Sequence, residues 1–128
     1  MTEQQTGGPT ILVVEDETEL ADLYADYLRD SYVVDVAYSG EEAIEMLSEE
    51  YDAVLLDRRM PVVSGNEVVL AIEERDIETR VAMVTAVNPD FDIIDLGIDD
   101  YLVKPITRQE VIDTVDRLLK ISEYNERA

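Results

Sequence analysis

The sequence predicts an α/β fold, a doubly wound, five-stranded parallel sheet in the order 2-1-3-4-5. Three observations carry this reading. Short apolar runs at residues 11–14, 33–37, 53–56, 81–84 and 101–103 alternate with five amphipathic stretches. Most of these runs are continuously apolar, as strands covered on both faces are, and helical crossovers join strands in parallel. The chain of 128 residues has room for five βα units, whereas an eight-unit barrel needs about 250 residues.

The elements follow in order. The run at 11–14 opens the sheet, and Leu20, Leu23, Tyr24, Tyr27 and Leu28 then recur at the spacing of one helix face. The run at 33–37 is interrupted by Asp35, which an edge strand tolerates. Ser39 and Glu42 form a capping box for a helix carrying Ala43, Ile44 and Leu47. After the buried run at 53–56, the turn residues Pro61, Ser64 and Gly65 lead into a helix with Val68, Val69 and Ile72. After the run at 81–84, Asn88-Pro89 is suited to start a short helix ending near Gly97. The last run, 101–103, precedes a second capping box, Thr107 with Glu110, and a helix with Val111, Ile112, Val115, Leu118 and Leu119.

Composition narrows the function. Asp and Glu number 31 against 10 Lys and Arg, for a net charge of −21. Such a surface repels phosphodiester backbones and anionic lipid, so direct binding of nucleic acid or membrane is excluded. Without Cys there is no disulfide or thiolate site, and without His the usual general base is missing. Chemistry must rest on carboxylates, hydroxyls, Lys and Arg. Residues 1–9 contain no apolar run, and no apolar stretch approaches the ~20 residues of a membrane span. A soluble, cytoplasmic domain over residues 10–121 is expected, with a disordered segment at 1–9 and a C-terminal tail or linker start at 122–128. The excess of acid and the scarcity of Lys (only Lys104 and Lys120) match proteins of salt-in halophiles.

Ligands of such sheets bind beyond the carboxyl ends of the strands. Glu15, Asp16 and Glu17 follow the first run, Asp57 the third, Thr85 the fourth and Lys104-Pro105 the fifth. Glu17 also suits the N-terminus of the first helix as a favourable charge. Two carboxylates ~4 Å apart repel by about 4 kcal/mol at an effective dielectric near 20, so a pKa rises or a cation binds. With only hard oxygen ligands, the cation expected is Mg²⁺ or Mn²⁺. A metal beside a carboxylate, an ammonium and a hydroxyl is suited to phosphoryl transfer, with the carboxylate as nucleophile.

At these residues the sequence resembles the receiver domain of two-component response regulators. The matching segments are Ile11-Leu12-Val13-Val14-Glu15-Asp16-Glu17, Leu55-Leu56-Asp57-Arg58-Arg59-Met60-Pro61 with Gly65, Val84-Thr85-Ala86, and Asp99-Asp100-Tyr101-Leu102-Val103-Lys104-Pro105. The segment Asn88-Pro89-Asp90-Phe91-Asp92-Ile93-Ile94-Asp95 further resembles haloarchaeal HalX-type regulators.

The resemblance implies a flavodoxin-like receiver fold with Asp57 as phosphoacceptor. Asp16, Asp57 and the backbone carbonyl of Arg59 would hold Mg²⁺, and Glu15, one methylene longer than the usual Asp, would reach it through water. Lys104 would pair with the phosphoryl group, Pro105 would follow a cis peptide, and Thr85 and Tyr101 would be the switch pair. The implied partners are a sensor histidine kinase and an output domain or downstream protein. The only reactions implied are the domain's own phosphorylation and dephosphorylation, so it is not an enzyme in the ordinary sense. It would be a monomer or a weak, phosphorylation-dependent dimer. Asp90, Asp92 and Asp95 replace the basic residues through which some relatives dimerise.

Other readings of the same fold fit less well. A flavodoxin-like cofactor binder would place a phosphate loop where three acids stand, and no G-x-G-x-x-G follows the first strand. A haloacid-type phosphatase needs a second Asp at the position of Arg59. The main alternative is a receiver-like interaction module that is never phosphorylated.

Overall fold

A computed structural model describes residues 8–86 and 97–127. The strands are β1 (Thr10–Val14), β2 (Val33–Ala37), β3 (Ala53–Asp57), β4 (Arg80–Thr85) and β5 (Asp100–Val103). The helices are α1 (Thr18–Leu28), α2 (Gly40–Met46), α3 (Gly65–Glu74) and α4 (Arg108–Arg127). All strand pairs are parallel, in the order β2-β1-β3-β4-β5, as the alternation of apolar runs predicts. The expected helix between Asn88 and Gly97 lies outside the described residues, and with it Asp90, Asp92 and Asp95.

Strand alternation divides the core in two. Leu12, Val14, Val54, Leu56, Val81 and Met83 face one side, packing with Ala43, Val68 and Ile72 of α2 and α3. Ile11, Val13, Leu55, Ala82, Val84 and Leu102 face the other, packing with Tyr24 and Leu28 of α1 and Val111, Val115 and Leu118 of α4. β2 is one of the two edge strands, and Asp35 is exposed there, accepting a hydrogen bond from the Tyr51 hydroxyl at 2.8 Å.

Two local expectations are corrected. Leu23 was expected on the buried stripe of α1 but is exposed; Ala21, Tyr24, Ala25 and Leu28 face the sheet. The box at Ser39 is half formed. Its hydroxyl accepts from the Glu42 amide, but the Glu42 carboxylate takes the amide of Tyr38 instead of Ser39. Thr107 and Glu110 form the complete box expected of them. A further box, Ser64 with Glu67, starts α3, and its S-x-x-E spacing was available in the sequence.

Gly65 fixes how closely α3 approaches the end of β3. A Cβ there would lie 2.4 Å from the Asp57 carbonyl oxygen and 2.9 Å from the Arg58 Cα. Gly65→Ala is therefore expected to destabilise the fold by about 1–3 kcal/mol through overpacking. A urea titration checks this, since the midpoint should fall with the slope unchanged.

Candidate functional site

The register builds the site. Val14 pairs with Leu56, so Glu15 and Asp57 leave adjacent strands side by side. Asp57 pairs with Val84, and Thr85 with Val103, which carries Lys104 to the same edge. Glu15, Asp57 and Lys104 share the alternation of Val13, Leu55 and Leu102, and so emerge toward α1 and α4. The backbone closes the edge, with the Arg58 amide donating to the Val84 carbonyl at 2.9 Å and the Lys104 amide to that of Thr85 at 2.8 Å. The Lys104–Pro105 peptide is cis.

Glu15, Asp16 and Asp57 each offer a carboxylate oxygen, and these atoms lie within 4.8 Å of one another. Lys104 Nζ stands 3.2 Å from Asp57 Oδ1 and 3.3 Å from Glu15 Oε1. The Glu17 amide donates to Glu15 Oε2 at 3.1 Å. Glu15 and Asp57 are buried, and Asp16 is half-buried. Burial pushes the Glu15 carboxyl up to about 7; the Glu17 amide opposes this, the Asp57 charge adds to it, and Lys104 opposes it. Burial likewise raises Asp57, against the pull of Lys104. For Lys104, burial acts downward, but the charges of Asp57 and Glu15 outweigh it and raise the ammonium above its ordinary value.

A cleft of about 150 Å³ over this cluster is lined by Asp16, Asp57, Arg59, Thr85 and Lys104, among others. Thr85 is buried, whereas Tyr101, two residues before the β5 partner of Thr85, points outward at 46% exposure. The donor set suits a hard divalent cation. Both Glu15 oxygens already accept hydrogen bonds, one from the Glu17 amide and one from Lys104 Nζ.

The response regulator receiver domain family matches residues 11–116. The chain belongs to this family. A candidate transcriptional regulator of Haloferax volcanii is 48% identical over 123 residues, 95% of this chain and 21% of that protein. Transcriptional regulatory protein CutR of Streptomyces coelicolor is 43% identical over 113 residues, 84% of this chain and 52% of CutR. Among solved structures, the signal receiver domain of a candidate Luxo repressor from Vibrio parahaemolyticus superimposes with a TM-score of 0.83 at 32% identity. That match covers 92% of this chain and 95% of the other. The receiver domain thus spans no more than about half the length of these curated relatives. Receiver domains bind Mg²⁺ through a cluster of acidic residues, which here is Glu15, Asp16 and Asp57. Among the described residues, no helix is long and apolar enough to cross a membrane.

Proposed function

We propose that this receiver domain takes a phosphoryl group from a sensor histidine kinase onto Asp57 and then switches its surface to control an output. The observation that supports this best is a buried Asp57 with an ammonium 3.2 Å away and two further carboxylates gathered around it. An Asp57 oxygen attacks phosphorus, the P–N bond of the phosphohistidine breaks, and its electron pair returns to the ring nitrogen, so that neutral imidazole leaves when its other nitrogen already carries a proton. Lys104 holds a phosphoryl oxygen as charge accumulates there. A divalent cation on Asp16, Asp57 and the Arg59 carbonyl, with Glu15 reached through water, would supply neutralising charge and allow the carboxylates to approach a phosphate.

After transfer, the Thr85 hydroxyl turns to the phosphoryl group and Tyr101 moves inward. Full conversion of a two-state switch needs about 5.5 kcal/mol of differential stabilisation, within reach of a few charge-assisted hydrogen bonds. The names of the relatives favour transcription control as the output, exerted through a partner or a segment beyond this domain.

Incubation with acetyl phosphate and Mg²⁺ should add about 80 Da by intact mass, the size of one phosphoryl group. Asp57→Asn should abolish the gain, and Asp16→Asn or chelation should suppress it. Phosphate on Ser or Thr with Asp57 intact would refute the assignment. No gain at all would leave the reading of an interaction module that is never phosphorylated.

A further inference from the structure

At the end of the sheet opposite Asp57, where β3 and β4 begin, a cleft of about 370 Å³ opens between the end of α3 and Gly97. Val69, Ile72, Ile77 and Val81 give it an apolar lining, and Glu73, Asp76 and Asp99 add three acids. Thr79 lines it too, and its hydroxyl oxygen is buried without a hydrogen-bond partner. Asp99 is engaged, with Oδ2 accepting from the Val81 amide at 2.9 Å and Oδ1 facing Arg80 at 3.5 Å. Glu73 and Asp76 are exposed and enter no ion pair among the described residues.

Asp76 also departs from what the helix end asks for. It takes a φ of 55° just past α3, where its amide donates to the Glu73 carbonyl and the Ile77 amide to that of Ile72, both at 3.1 Å. A helix stop of this kind ordinarily takes Gly or Asn. A carboxylate there adds to the negative end of the helix dipole, and α3 has no basic residue in its last turn. Arg75, next to it in the chain, turns its guanidinium to the Ile44 carbonyl of α2 at 2.9 Å.

We propose that this cleft binds the primary ammonium group of an aliphatic amine. An ammonium has three N–H donors and no acceptor, and the cleft offers acceptors in the orphaned Thr79 hydroxyl and the carboxylates of Glu73 and Asp76. The alkyl stem lies on the apolar lining, as long cationic side chains do on apolar surfaces. Arg80 is paired with Asp99, so the charges of Glu73 and Asp76 are left for the ligand. A metal ion fits less well. The acids here are not drawn together within 4.8 Å as a group of three, as those around Asp57 are, and the apolar lining supplies no oxygen. The ligand chemistry is shared by a free amine and by the lysine side chain of a partner. The site is independent of Asp57 and its phosphorylation.

The test titrates ¹⁵N-labelled protein with butylammonium chloride, KCl holding the ionic strength constant, and follows the amide shifts. Saturating shifts confined to residues 72–81 and 97–99 are expected. Tetramethylammonium carries the same charge without an N–H donor and should produce none. Asp76→Asn, which suits the same backbone, and Thr79→Val, which keeps the side-chain shape, should each weaken binding roughly fivefold, the scale of one hydrogen bond at a partly exposed site. The amide spectra of both variants report whether the fold is intact. Tighter binding of Nα-acetyl-lysine amide than of butylammonium assigns the site to a lysine side chain, and weaker binding to a free amine. An unsaturable drift shared by both cations would mean diffuse attraction to an acidic surface and overturns the site. Undiminished binding in both variants overturns it equally.

Discussion

The melting temperature should climb steeply as KCl is raised from about 0.1 M to about 2 M, because screening shortens the Debye length from ~10 Å to ~3 Å or less. The source is a net charge of −21 confined to a single small domain. On α1 and just past its C-terminal end, the acids Asp22, Asp26 and Asp30 recur at i, i+4, i+8, a spacing that sets at least the two helical ones, Asp22 and Asp26, in a row. The fold relieves that row locally. Asp22 accepts from the Tyr38 hydroxyl, Asp26 pairs with Arg29 at 2.9 Å, and Asp30 with Arg108 at 3.7 Å. Around α2 the exposed Glu41, Glu45, Glu49 and Glu50 have no cation among the neighbouring residues in sequence, although Arg75 reaches this helix from α3 to donate to the Ile44 carbonyl at 2.9 Å.

Total stability is only about 5–15 kcal/mol, so even a few kcal/mol of repulsion is a large fraction of it. Recovering about 3 kcal/mol corresponds to a rise of roughly 10–20 °C for a domain of this size. Sulfate at matched ionic strength separates screening from salting-out, which stabilises most proteins at high concentration. Screening predicts that most of the gain arrives with chloride at modest molarity. A flat melting curve over that range would mean that the acidic surface is merely solvated.

The parallel sheet was legible because its inner strands are apolar on both faces, and the strand whose interior is broken by a charge, β2 with Asp35, is one of the two edges. α1 was read less well. Its large apolar residues mark one stripe, but Ala21 and Ala25 occupy positions facing the sheet beside Tyr24 and Leu28. Small residues give a weak hydrophobic signal while allowing close approach of helix to sheet, so Leu23 drew the predicted face away from the true one. The site residues stood out because parallel strands end at one edge, making Glu15, Asp16, Asp57, Thr85 and Lys104 neighbours once the order is known. What stayed hidden were relations across strands. The shared grip of Lys104 on Glu15 and Asp57 and the cleft beside Thr79 depend on side-chain direction, which spacing in sequence does not specify.

Replacing Lys104 by Met should cost about 3–5 kcal/mol of stability in metal-free buffer above neutral pH, as removal of one member of a buried charge group does. Lys104 is the cation that faces both Glu15 and Asp57, and Met keeps most of its aliphatic stem. The loss should depend on pH in a definite direction. The Glu15 carboxyl lies at about 7 in the fold against 4.5 ordinarily, so the folded state retains a proton through that window that the unfolded chain has released. Stability from this group is complete below about 4.5 and is lost as the pH rises through about 7. Without the ammonium, which lowers the Glu15 value, the proton is held to still higher pH. The penalty should therefore shrink as Glu15 is protonated on acidification, and Glu15→Gln should rescue Lys104→Met by removing one of the orphaned charges. Urea midpoints of the two single variants and the double variant, each at about pH 5 and about pH 8, give the coupling directly. Additive effects at both pH values would show that Lys104 and Glu15 do not interact in the folded protein.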